Sequence, residues 1–404
     1  MKRTLGSACL VAGTAIGAGV MALPMTFAAL GILPTALLMI AVWAVMHYSS
    51  LINLELNLRA GDGLPLGALG RLFSGPKAEW LGTLSLLVLM NALLAAYLYG
   101  LGSVLQSFLH TSLGIDVSKT QLTTAATLCL GGALLLPTAK VDAVNRVLFI
   151  ALVAIFTAVI AWLLSHMEPQ SLPWILTPSD PLKVLRIALP VVFTSFGFQV
   201  IFHTLTRYCN KNPLQLKRAF FWGSLTPLIL YVLWTVCVLS VVATHRPDVY
   251  GLMQQGTLDV GGLVEALAEL SANNSLKAGS WMIMILAIAT SAIGVGLGLA
   301  DSWRAKVTQH TSHRVFRHAW ILSLTLLPAY AVAVGLPGAF IKTLSFAGMI
   351  LVVIALGLPL YLLHASDKLS AKVYYPLVRH RGLRLMVALF GTLIMAAEIW
   401  NMLG

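Results

Sequence analysis

The sequence predicts an all-α polytopic membrane protein, and three observations carry that prediction. Of the 404 residues, 58% are hydrophobic and only 10% charged, with a mean hydropathy of +0.88, a balance foreign to soluble domains. Apolar runs long enough to cross ~30 Å of hydrocarbon recur about eleven times. They fall at roughly 5–28, 33–57, 80–108, 121–138, 147–166, 186–205, 219–243, 279–303, 318–336, 339–364 and 383–402, leaving the chain as one transmembrane domain over 1–404. The third observation is the placement of the 26 Lys and Arg residues. With the N-terminus inside, alternate loops hold all but Lys119, Lys183, Arg186, Arg246, Lys277 and Lys342, and cytoplasmic loops are the ones that retain positive charge. The net charge of +12 is thus largely a topology signal and calls for a lipid membrane, not a nucleic acid.

Span 1 opens with Met1-Lys2-Arg3 before an apolar run, as a signal peptide does, but the run continues through Phe27-Ala28-Ala29-Leu30 without a polar cleavage region. Its middle reads Gly13-Thr14-Ala15-Ile16-Gly17-Ala18-Gly19. Glycine weakens a helix by about 1 kcal/mol per residue, so such a run is either a small-xxx-small packing seam or a break whose freed backbone groups bind a ligand at the bilayer midplane.

Spans 1 and 2 form a hairpin across Leu30-Gly31-Ile32-Leu33-Pro34. The glycine-rich inner loop 59–79 accommodates either a short surface helix or a plain loop. Span 3 carries Asn91, whose amide needs a partner at that depth, either on a neighbouring helix or in a pocket. Span 5 has no ionisable residue between Arg146 and His166.

Span 6 repeats the pattern of span 1: Phe193-Thr194-Ser195-Phe196-Gly197-Phe198-Gln199 interrupts an apolar helix at its centre. Five spans separate the two interruptions, an odd number, so the second unit enters the membrane in the opposite sense. Paired broken helices in inverted halves point to a secondary transporter of five-plus-five architecture, with inverted repeats at roughly 5–166 and 186–364 and an extra helix at 383–402. The long outer segment 244–278 contains an amphipathic stretch, Leu258–Leu270, that reads as a short helix. Cys9, Cys129, Cys209 and Cys237 show neither disulfide nor zinc spacing, and no cofactor motif is present.

Thr4-Leu5-Gly6-Ser7 with Val11 to Gly19, the Phe193–Phe198 block, and Ala289-Thr290-Ser291 with Gly298-Leu299-Ala300-Asp301 resemble the bacterial hydroxy and aromatic amino acid permease family, its tyrosine-specific members above all. The likeness covers essentially the whole chain and departs at Asn91, Gln199, His203 and Arg207-Tyr208-Cys209, which leaves the choice among aromatic substrates open. The resemblance implies the LeuT-type fold, a bacterial inner membrane with the N-terminus cytoplasmic and the C-terminus periplasmic, and proton symport of an aromatic amino acid, tyrosine first.

For such a substrate, the amides of Gly17, Ala18 and Gly19 are expected to receive the carboxylate. Carbonyls near Thr14, Ala15, Phe193, Thr194 and Ser195 would receive the ammonium. Phe196 and Phe198 with Asn91 and Ala95 would line the ring pocket, and Asn91 or Gln199 would meet a phenol or indole. Thr290 and Ser291 resemble the hydroxyl pair that holds sodium in some transporters of this architecture, and also suit interhelical bonding. His47 and His203 are candidate proton carriers, although lone histidines are commonly just hydrogen-bonded. Span 5 lacks the lysine that some proton-coupled relatives of the fold place beside this site. Glu55 and Asp301, near span ends, are expected to pair with arginines. An intramembrane enzyme would need a metal-binding or nucleophile–base set, and a channel would need a charged ring or filter; neither pattern is found.

Overall fold

The structure is a computed structural model that describes residues 2–17, 19–167, 172–270, 274–307, 314–369 and 372–403. Among these residues every regular element is helical. The first pair, α1 (Lys2–Ala15) and α2 (Gly19–Phe27), is bent by 55° at the glycine run. There follow α3 (Ile32–Ala60), the short α4 (Leu66–Ser74), α5 (Pro76–Leu113), α6 (Lys119–Leu135) and α7 (Thr138–Ser165). The second half holds α8 (Pro181–Ser195), α9 (Phe202–Tyr208), α10 (Pro213–His245), the short α11 (Pro247–Gln255) and α12 (Val260–Glu269), α13 (Asn274–Val307) and α14 (Arg314–Gly335). It closes with α15 (Ala339–Val352), α16 (Leu358–Leu369) and α17 (Arg381–Leu403).

Among the described residues eight helices are long and apolar enough to cross a membrane by length and composition, or nine if the bent α1–α2 pair counts as one span. The eleven runs read from the sequence also include α6, whose helix has 17 residues, and the interrupted α8–α9 segment.

Local chemistry sets the helix ends. Ser118 and Gln121 form a reciprocal capping box at the start of α6, while Asp180, Asn212 and Asp259 cap α8, α10 and α12 through their side chains. Proline opens α5, α8, α10 and α11, where its missing N–H costs no helical bond. Gly31, at φ 82°, lets the chain turn between α2 and α3 against the main chain at Pro173–Leu176.

At the core, α5 packs against α13 and α15, and α10 against α1 and α3. One end of α5 is flanked by α4 and the other by α12. A π-helical turn at Val353–Gly357 separates α15 from α16, and the Ser49 hydroxyl of α3 hydrogen-bonds the Ala355 carbonyl within it. The buried Glu55 carboxylate is held by Arg59 at 2.8 Å and by the backbone amides of Tyr374 and Tyr375, and Asp301 pairs with Arg304, so both acids find the arginine partners expected of them.

Candidate functional site

The two helix breaks face one another. In the first, α1 ends at Ala15 and α2 begins at Gly19, with Gly17 between them. In the second, α8 ends at Ser195, and a single 3₁₀ turn at Gln199–Ile201 leads into α9. Gly19 packs against Ser195: a Cβ on Gly19 would stand 2.8 Å from the Ser195 side chain and 2.9 Å from the Tyr231 ring. Only glycine permits that approach. Gly17 meets a third helix, since a Cβ there would stand 2.7 Å from Ser291 Oγ of α13 and 3.5 Å from the Tyr97 hydroxyl of α5. Gly13 lies a turn earlier against the Phe149 ring of α7 and keeps the packing-seam role. The small-residue run thus packs as a seam at Gly13 and breaks at Gly17.

Tyr231 joins the two breaks. Its hydroxyl donates to Ala15 O at 2.7 Å and lies 3.2 Å from Ser195 O, the last carbonyl of each helix before its break. Trp234, one turn on, donates its indole N–H to Val20 O at 2.5 Å. Phe196 sets the edge of its ring against Tyr231, with centroids 5.6 Å apart. All of these groups are buried. Neither Tyr231 nor Tyr97 is singled out by sequence motif; the one available signal is a phenol set among leucines at mid-span, which must find a partner away from water.

The other residues predicted for the site divide between it and its surroundings. Thr194 donates to Pro190 O and to Leu344 O of α15 at 2.8 Å, tying α8 to α15. The carbonyls of Phe193 and Thr194 already accept the amides of Phe196 and Gly197. Ser195 bonds back to Val191 O, and Thr14 to Leu10 O. Phe198 belongs to a separate aromatic cluster with Phe202 and Phe220. Ala95 is buried on α5. Asn91, six residues from Tyr97 along α5, donates to Leu87 O of its own helix, and its buried Oδ1 has no partner among the described residues. The Gln199 amide reaches Met46 Sδ at 3.7 Å, and its Oε1 is unpaired among the described residues. Thr290 bonds to Leu286 O within α13, whereas Ser291 stands at Gly17. His47 stacks on Trp43 and abuts Phe221, and His203 contacts Thr204. Ala18 lies outside the described residues.

Polar tethers flank the site at both ends. Toward α12, Lys119 binds Asp259 at 2.8 Å and the Tyr99 hydroxyl at 2.9 Å. Toward α4, Arg207 of α9 binds Asp62 at 3.2 Å, and the Gly63 amide together with that guanidinium holds the Asp62 carboxyl below the usual carboxylate range. No group of three or more metal-ligating side chains occurs among the described residues.

What such a site can do follows from its chemistry. Two broken helices offer backbone donors and acceptors to a small zwitterion without burying a charged side chain.

Comparison with known proteins shows the family. The model of the tryptophan/tyrosine permease family matches residues 1–398. Tyrosine-specific transport system 1 of Haemophilus influenzae is 31% identical over 394 residues, 98% of this chain and 96% of that protein. Tyrosine-specific transport system 2 of the same organism is 32% identical over 89% of this chain and 87% of its own. Its tryptophan-specific transport protein is 28% identical, covering 99% and 96%. The chain therefore belongs to the tryptophan/tyrosine permease family and is a multi-pass membrane transporter, not an enzyme.

Proposed function

We propose that the protein is a secondary active symporter that imports an aromatic amino acid, tyrosine first, together with protons across the bacterial inner membrane by alternating access. The observation that carries this reading is the convergence of two broken helices on the Tyr231 hydroxyl, with Gly17 and Gly19 at the junction. The start of α2 at Gly19 is a helix N-terminus suited to the substrate carboxylate, although its Val20 amide already donates to Gly17 O at 3.1 Å. The carbonyls of Ala15 and Ser195 each keep a second lone pair for its ammonium. Phe196 directly follows the second break, edge-on to Tyr231, and is the residue suited to receive the substrate ring. The tyrosine-specific names of two relatives support tyrosine; the tryptophan-specific name of the third keeps tryptophan as the alternative.

The packing supports the five-plus-five reading. If α5 corresponds to α13 and α7 to α15, the strong α5–α15 contact has its counterpart in the α13–α7 contact. Likewise α4 after α3 matches α11–α12 after α10. On this reading α17 is the eleventh span, outside the repeats, with the N-terminus cytoplasmic and the C-terminus periplasmic. The outer tether is then Lys119–Asp259 and the inner one Asp62–Arg207.

One observation favours sodium as the coupling ion instead: Ser291 Oγ stands at the first break, where freed carbonyls and a hydroxyl could surround a cation. A single experiment separates the readings. Labelled tyrosine, tryptophan and phenylalanine are offered to proteoliposomes under a pH gradient or a sodium gradient imposed separately. Accumulation driven by acid outside, competed by the other aromatics, is expected. Accumulation that follows sodium and ignores pH would reject proton coupling, and failure of all three amino acids would reject the substrate class.

A further inference from the structure

Helix α17 carries a carboxyl group for which the site above has no use. Glu398 is 4% exposed and lies within a 23-residue apolar helix. It faces α15, where the Ser345 hydroxyl hydrogen-bonds its Oε2, and Asn401 Nδ2 donates to the same oxygen at 3.3 Å. Among the described residues no Lys, Arg or His nitrogen lies within 4.0 Å of it. The contrast with Glu55 is instructive. That carboxylate is equally buried but is paired with the Arg59 guanidinium and accepts two backbone amides. Glu398 has two neutral donors only, an arrangement in which the carboxyl form is far cheaper to hold in hydrocarbon than the anion, yet the anion is not left bare.

Its position links it to the transport machinery. Ser345 directly follows Leu344, whose carbonyl accepts the Thr194 hydroxyl at 2.8 Å. Thr194 in turn adjoins Ser195, whose carbonyl lies beside the Tyr231 hydroxyl. Elsewhere on α17, Gly391 packs against the π-helical turn and the end of α15, where a Cβ would stand 3.2 Å from Leu356 Cδ1 and 3.0 Å from Val352 Cγ1. So α17 touches the α15 span twice, once where it is tied to the second break and once where its helical bonding is looser.

Other charges stand toward the two ends of α17, and the buried Arg186 Nε has no hydrogen-bond partner among the described residues. At its own end α8 contributes Lys183 and Arg186, the latter with its guanidinium 4.6 Å from the Trp400 ring, and α15 contributes Lys342. At the far end of α17 stand Arg381 and Arg384, Arg379 of the adjoining turn, and Glu55 and Arg59 of α3. His47 of α3 is turned toward Trp43 and Phe221. The π-helical turn has no ionisable residue.

We propose that Glu398 is the proton-binding carboxyl of the transport cycle, a reading that rests on the proton-symport function argued above. One proton from the outer side adds to the carboxylate and leaves on the inner side, so the group returns to its starting charge each cycle. In the anion, Ser345 must donate to Glu398. In the acid, the carboxyl O–H donates to Ser345, whose own proton turns back to a main-chain carbonyl of α15. The change of partner falls one residue from the Leu344–Thr194 bond and so biases the second break.

The test uses the full-length protein in proteoliposomes with whichever labelled aromatic amino acid the wild type exchanges. Glu398→Gln keeps the shape of the side chain and its ability to accept from Ser345 and Asn401. Gradient-free counterflow is expected to stay at the wild-type level while accumulation driven by a pH gradient is lost. Glu398→Asp should retain accumulation with a displaced pH profile. Accumulation by Glu398→Gln equal to wild type overturns the proposal, as does joint loss of counterflow and accumulation, which would make Glu398 a structural residue. Wild-type protein that ignores the pH gradient overturns the symport reading itself and this inference with it, and it is read before any variant is made.

Discussion

The hydroxyl of Tyr231 donates to the Ala15 carbonyl at 2.7 Å and lies 3.2 Å from the Ser195 carbonyl, so one side chain of α10 holds the ends of both broken helices. Tyr231→Phe keeps the ring against Phe196 and removes only the donor. Leaving a buried carbonyl unpaired costs on the order of 1–3 kcal/mol, and part of that loss falls on the substrate-binding geometry. Substrate affinity should weaken about 5-fold or more. Saturation uptake with the variant checks this; an unchanged half-saturation concentration would mean that the two breaks keep their alignment without Tyr231.

Gly17→Ala should cut uptake severely while the protein still reaches the membrane, because its Cβ would sit 2.7 Å from Ser291 Oγ. Removing that oxygen relieves the clash, since Ser291 Cβ would stand at an ordinary 3.5 Å. Ser291→Ala should therefore restore part of the uptake lost in Gly17→Ala, with a coupling of about 1 kcal/mol in a double-mutant cycle. Strictly additive losses would place the defect of Gly17→Ala elsewhere.

Arg59→Met is expected to destabilise the protein by roughly 3–5 kcal/mol, because it strands the fully buried Glu55 carboxylate. Thermal stability in detergent reports it. The double variant Arg59→Met, Glu55→Gln should recover much of the loss, since no bare charge remains.

The Asp62–Arg207 tether offers a pH control. Its carboxyl is held below the usual range, first by the Gly63 amide and then by Arg207. A depressed carboxylate contributes above its unfolded pKa and loses that contribution only as pH falls through the still lower folded value. Between pH 5.5 and 8 the tether should thus be constant, and the pH profile of uptake by Asp62→Asn should parallel that of the wild type. A divergence within that window would mean that Asp62 itself titrates there.

Much of the fold was legible because membrane spans announce themselves by length and apolarity, and both breaks because glycine and small polar residues stand out against leucine. The Leu258–Leu270 stretch forms the helix Val260–Glu269, as its amphipathic pattern indicated. Tyr231 was not legible: its partners lie 216 and 36 residues away, and a tyrosine inside Leu228-Ile229-Leu230-Tyr231-Val232 carries no local pattern. Glu398 reads in sequence only as an acid near a span end, because sequence does not say that Ser345 awaits it across α15. Phe198 shows the converse limit. Two residues from Phe196, it turns to Phe202 and Phe220, and the choice of direction is made by the 3₁₀ turn that follows.

The π-helical turn at Val353–Gly357 gives its span a phase offset. An α-helix advances about 100° per residue, so one extra residue absorbed in a wide turn rotates everything beyond it by that angle. The span thereby works as a cam with two separately aimed faces: Ser345 addresses α17 and Leu344 the α8 break, while Tyr361 meets Ser74 of α4 at 2.6 Å. Deleting a single residue from the turn would leave a regular helix with all its hydrogen bonds, yet turn one of those faces away from its neighbours. In this span it is the count of residues between the two faces, more than the identity of any one of them, that keeps both in register.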